Sequence, residues 1–233
     1  MSNKLIKEYI SLLLEEKTFG IKRIQEIIRQ LVYRKREKGV VCKVRIKKQG
    51  EFTYVTYEDP DRSLKGSVCI AKVPKRNGKD RKAGDRDVYE VIDAYSVSSW
   101  GPLLYEVALE YISVEKGGAL MSDRSTVLDP AVKVWSIYNQ RCLSNEPNLG
   151  CIQMDFDNSV YNVEIKKHTP DYELDDVSQD STFAALLRSG TNIEDLDKEW
   201  KNSPLSKAYY KKSYDVKNAL ERLDLLIIDE DLK

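Results

Sequence analysis

The chain of 233 residues is poor in the side chains that do most enzyme chemistry. It has one histidine, His168, and four cysteines, Cys42, Cys69, Cys142 and Cys151, with no C-x-x-C pair among them. That removes the ligand set of a structural zinc site, and no metal site is expected. There is no G-x-S-x-G turn and no histidine close in sequence to a cysteine, so a serine or cysteine nucleophile has no candidate. His168 follows Lys166 and Lys167 in a polar stretch and is expected at the surface. The carboxylates of 171–180 lack the D-x-D-x-D-G spacing of a calcium loop. No apolar run reaches the length of a membrane span and no signal-peptide core opens the chain, so no membrane contact is expected. The expected location is a reducing cytoplasm with all four thiols free.

Net charge is missing too, because 38 Lys and Arg balance 38 Asp and Glu. The distribution is uneven: residues 1–48 carry 14 basic and 5 acidic side chains, a net of +9, while residues 171–199 carry 2 and 9, a net of −7. The basic start opens a nucleic-acid reading through Arg34, Lys35, Arg36, Lys43, Arg45, Lys47 and Lys48, although no groove-reading motif follows it. Contact with the acidic C-terminal part of the same chain is the other reading.

What the chain does have is a hydrophobic fraction of 41%, enough for a sizeable core. Leu5, Ile6, Tyr9, Ile10, Leu13 and Leu14 recur at helical spacing, and Ile21, Ile24, Ile27, Ile28, Leu31 and Val32 repeat the period up to Lys38-Gly39. From Val40 the period becomes two. The pattern predicts a hairpin turning at Gln49-Gly50, then strands over 67–73 and 88–95 separated by a charged, solvated loop. Next come a helix from Pro102 to about Val114, a strand over 119–122, and a helix from Asp129 to Arg141 opened by an Asp129 cap and Pro130. Two more strands are expected around Asp157-Asn158, and helices over 183–188, 193–200 and 216–226. The reading is a single α+β domain: a basic helical extension (1–39), a core with a mixed, mostly antiparallel sheet (40–167), and an acidic loop with a helical tail (168–233).

The turn Ser98-Ser99-Trp100-Gly101-Pro102-Leu103 between strand and helix carries two readings. Its amides and the helix dipole could hold a phosphate, or Gly101 could simply permit a tight turn and Pro102 start a helix whose Leu103, Leu104, Val107, Ala108 and Ile112 face the core. Ser122-Asp123-Arg124 stands at the C-terminal end of a strand, where open sheets place ligand contacts. Asp123 could serve as a base and Arg124 could hold an anion, or both could pair with charges in neighbouring loops.

The order β, β, β, β, α, β, α, β, β over about residues 40–167 resembles the GNAT superfamily of N-acetyltransferases. The resemblance implies that the turn after strand 88–95 is the acetyl-CoA loop, with Trp100, Gly101, Leu103 and Leu104 as its cofactor-binding residues. Of the family pattern Gln/Arg-x-x-Gly-x-Gly/Ala only Gly101 matches, because Ser98 and Leu103 replace the other positions and Pro102 removes a donor. In the family's Asn-x-x-Ala-x-x-x-Tyr segment Ala131 matches, Leu128 replaces asparagine and Trp135 replaces the acidic tyrosine, with Tyr138 the nearest substitute. Separately, LIKEYISLLLEE resembles the leader of internal head proteins of tailed phages, and Leu13-Leu14-Glu15 and Leu14-Glu15-Glu16 both fit the cleavage triplet. Together these imply a phage-type accessory or virion-associated protein in the host cytoplasm, built on a degenerate acyltransferase scaffold and acting on a protein partner. The alternative is an active N-acyltransferase taking acetyl-CoA or another acyl-CoA, with Asp123 and Tyr138 catalytic and Arg124 on the substrate.

Overall fold

The computed structural model of the chain describes residues 21–74, 82–97, 99–122, 127–154, 160–162, 167–169 and 201–229. The first predicted helix (3–16) and those over 183–188 and 193–200 lie outside the described residues. Helix α1 (Ile21–Glu37) follows its apolar period: Ile24, Ile27, Ile28, Leu31 and Val32 are all buried. It is therefore part of the core rather than an extension from it. Arg34, Lys35 and Arg36 fall in its last turn, where cations suit the negative end of the helix dipole.

Strands β1 (Lys43–Gln49) and β2 (Phe52–Glu58) form the predicted hairpin, Gln49 facing Phe52 across Gly50-Glu51. Gly50 has φ +62°, the left-handed backbone that a two-residue turn reserves for glycine. Strands β3 (Gly66–Lys72) and β5 (Arg86–Ser96) extend the antiparallel meander, with the short β4 (Lys82–Ala83) folded against the start of β5. Helix α2 (Gly101–Glu110), continued by a π-helical turn to Glu115, leads to β6 (Ala119–Ser122), which pairs parallel with β5. Helix α3 (Asp129–Leu143) and β7 (Leu149–Gln153) follow.

The rest departs from the sequence reading. Strand β8 (Val160–Asn162) pairs with β9 (Lys167–Thr169) and not with β7. Residues 201–229 are not a helical tail: β10 (Lys207–Lys211) inserts between β6 and β7, α4 (Val216–Arg222) packs on the core, and β11 (Leu226–Ile228) runs parallel to β1 at the far edge. The main sheet runs β11-β1-β2-β3-β5-β6-β10-β7. Strands of three and five residues show too few alternations to announce themselves, and their partners lie far off in sequence. Asp129 is not the cap of α3 either; Leu128 holds that position in extended backbone, and Asp129 is the first helical residue.

All four helices bury their apolar faces in one cluster with Val44, Val55, Val68, Leu120 and Tyr209 of the sheet. Alternate residues of the same strands, Ala119, Met121 and Ala208, form a smaller cluster on the opposite face. The expectation of four free thiols holds only for Cys42 and Cys69, which are buried. Cys142 at the end of α3 and Cys151 in β7 form a disulfide, because the turn between them brings their Cα atoms to 6.1 Å. Among the described residues no helix is long and apolar enough to cross a membrane.

Candidate functional site: a cleft where two parallel strands part

The turn between β5 and α2 is pinned from two sides. Ser99 lies at φ +69°, and Trp100 N donates to Val97 O at 3.2 Å. Arg23 of α1 donates through Nε and NH2 to Ser99 O, both at 3.2 Å, and the Tyr57 hydroxyl of β2 donates to Trp100 O at 2.8 Å. Trp100 stands edge-on to Tyr57, ring centroids 5.8 Å apart. A Cβ at position 101 would meet Ser96 Oγ at 2.9 Å, so any larger residue there must turn the Ser96 hydroxyl aside. Leu103, Leu104, Val107, Ala108 and Ile112 are fully buried, as expected of a helix that starts here to fill the core. Of the residues assigned to cofactor binding, Leu103 and Leu104 thus spend their side chains on packing. Among the described residues no group of carboxylate, histidine and cysteine side chains could hold a metal ion.

Just beyond the turn the sheet opens. Strand β6 pairs with β5 only over Val88–Val91, and β5 continues to Ser96. A register shift against β3 leaves Ile92 without a direct partner, a bulge placed where β6 stops. Beside this stretch, between β5 and the start of α3, lies a cleft of about 230 Å³. Its floor is Tyr105 of α2 and Trp135 of α3, packed edge-on at 5.7 Å, with the small Ala131 leaving room above them. Leu128, 69% exposed, and Ile92, 38% exposed, stand at the mouth. Among the described residues Asp93 is the one ionisable group of the cleft besides the phenol of Tyr105, whose pKa burial raises to about 12.

Behind the floor lies a group of charges that sequence reasoning missed. Arg141 of α3 donates to both oxygens of Glu106 (2.8 and 3.0 Å) and both of Glu146 (2.7 and 2.9 Å), and Lys211 of β10 reaches Glu106 at 2.9 Å. All four side chains are buried. Burial alone would raise the Glu106 carboxyl, but Arg141 and Lys211 beside it hold it well below the usual range. Glu110, one turn along α2, accepts from the backbone N–H groups of Asp215 and Val216 at 3.0 Å and of Lys217 at 2.7 Å, joining α2 to the start of α4. Burial, with Glu106 nearby, pushes its carboxyl up to about 7 against the pull of Lys211. A signal was available. The stretch PLLYEVALEYI is apolar around most of its circumference, and two carboxylates four residues apart in it must find buried partners.

Tyr138 belongs to this interior and not to the cleft. Its ring lies 5.9 Å from Trp135 and 5.7 Å from Tyr209, under the Arg141 guanidinium. Burial and then Glu106 hold its proton well above the ordinary phenol range, and it is not among the residues that line the cleft. Asp123 and Arg124 lie outside the described residues. At least five of the seven basic residues are engaged within the chain: Arg34 with Asp59, Lys35 and Lys43 with Asp224, Arg45 with Glu58 and Asp229, and Lys47 over the Tyr54 ring. Two of these partners, Asp224 and Asp229, lie near the C-terminus, while the acidic stretch 171–199 lies outside the described residues.

No family model, curated protein or solved structure matches the chain.

Proposed function

We propose that the chain is a binding protein on a catalytically silent, acyltransferase-like scaffold, and that the cleft between the later part of β5 and the start of α3 docks part of a protein partner. The observation that carries this is the cleft itself. At about 230 Å³ it is below the range usual for sites of drug-sized ligands, roughly 300 to 1,000 Å³, and its floor is two packed aromatic rings. Support for the GNAT-like scaffold comes from the antiparallel meander passing through a turn and a helix into a strand parallel to its last member. The virion-associated setting belongs to the same proposal and rests on the leader-like segment 3–16.

A second reading, an acyl-CoA-dependent N-acyltransferase, is favoured by one arrangement: the start of α2 and the cleft lie at the same end of β5. Isothermal titration with acetyl-CoA separates the two, using the wild type and a Gly101→Trp variant. The binding reading expects no saturable heat from the folded wild type. Micromolar binding that the variant loses would replace it with the enzyme reading.

A further inference from the structure

Strand β5 outruns β6 by five residues, and among the described residues nothing pairs with Ile92–Ser96 on the side where β6 has ended. On its other side the same segment remains hydrogen-bonded to β3, which keeps it extended and rigid. A row of about five residues at roughly 3.3 Å each is long enough to receive a short strand from another chain. The cleft under this edge, floored by Tyr105 and Trp135 with Ala131 in its wall, has room for one or two apolar side chains pointing inward. Leu128 and Ile92 supply apolar contact at the rim.

The charge at the mouth selects the occupant. Asp93 is exposed, and among the described residues it has no ion-pair partner, in contrast to the closely paired carboxylates Asp59, Asp87, Glu106 and Asp224. Among the described residues no cation lines the cleft. Resting on the binding reading above, the geometry points to strand addition: an extended peptide takes up the pairing edge of β5 that β6 leaves, seats an apolar side chain over Tyr105 and Trp135, and sets a lysine or arginine against Asp93. Main-chain pairing supplies the attachment, the cleft the side-chain size, and Asp93 the sign of charge.

The test uses the full chain and a terminally blocked six-residue peptide of valine and threonine with one lysine, its glutamate counterpart, and the lysine peptide N-methylated at alternate residues in either phase. Fluorescence anisotropy of the labelled peptides reads the affinities. The wild type is expected to bind the lysine peptide about ten-fold tighter than the glutamate peptide. Asp93→Lys should reverse that preference, and at least one N-methylated phase should lose binding. Circular dichroism of Asp93→Lys checks that this exposed substitution leaves the fold unchanged. Equal affinity for the two charges, undiminished binding of both N-methylated peptides, or no binding of any peptide each overturns strand addition. Acetyl-CoA titrated into the same samples keeps the two proposals apart: its binding removes the binding-protein reading, while peptide silence without acetyl-CoA binding removes strand addition alone.

Discussion

The two sides of Trp135 are built on opposite terms. Behind it, Glu106, Arg141, Glu146 and Lys211 neutralise one another within hydrogen-bonding distance and out of reach of water. In front of it the cleft is apolar, open, and marked by the single carboxylate Asp93. Buried charges that are fully paired are committed to the fold, because their partners satisfy them and leave nothing for a ligand. A carboxylate left at the mouth of an apolar cleft has lost little hydration and can still gain a partner. The difference locates stability behind the indole and leaves the surface before it for the proposed recognition.

The largest test of that division is Arg141→Met. It leaves two buried carboxylates with Lys211 as their one remaining cation, and urea unfolding should register a loss of about 3 to 5 kcal/mol. A loss under about 1 kcal/mol would mean that water reaches the cluster. Next comes the pH dependence of Glu110. Its folded carboxyl, near 7, binds a proton more tightly than the ordinary carboxyl of the unfolded chain, near 4.5. The folded state therefore holds the extra proton between these values, and this group's contribution falls as pH rises from about 4.5 to 7, by roughly 3 kcal/mol. Glu110→Gln should flatten that part of the stability profile, and an unchanged profile would assign the slope to other groups. Asp59 has the opposite sign. Burial works to raise it, but the Leu64 N–H and Arg34 outweigh that and hold it low, so its contribution is present at neutral pH and lost on acidification.

Reducing the Cys142–Cys151 disulfide should remove at most roughly 3 kcal/mol, the entropy of closing a loop of about ten residues. Thiol titration of the unfolded protein should find two reactive cysteines before reduction and four after it. The smallest effect belongs to the cleft: Asp93→Asn and Leu128→Ser, both at exposed positions, should change stability by less than about 0.5 kcal/mol. Losses as large as that of Arg141→Met would erase the contrast between the two sides.

Much of the local structure was legible. The apolar period of 21–32 placed α1, the glycine at 50 placed the hairpin, and the residues of β6 were read from three apolar residues and a serine after a glycine pair. The turn at Gly101 was legible only as a choice. That it starts a helix became clear once Arg23, Tyr57 and Ser96, distant in sequence, were seen to pin it. The cleft was half legible, since Ala131 and Trp135 stood in the matched segment while Asp93 and the bulge at Ile92 gave no sign. Trp135 lines the cleft and Tyr138, three residues on, does not, a difference of helix rotation and packing that spacing alone does not resolve.

By itself the sequence determined the α+β class, the length and order of most elements up to Leu143, the want of histidine and of paired cysteine motifs, and the uneven spread of charge. Those properties depend on short-range periodicity and composition, which a chain displays without folding. Tertiary structure alone decided the insertion of β10, the parallel seat of β11, the Cys142–Cys151 bond, the pairing of Glu106 with Arg141 and Lys211, and the cleft. Each of these joins residues whose separation carries no local pattern, and each exists only because burial of the shared core brings those segments together.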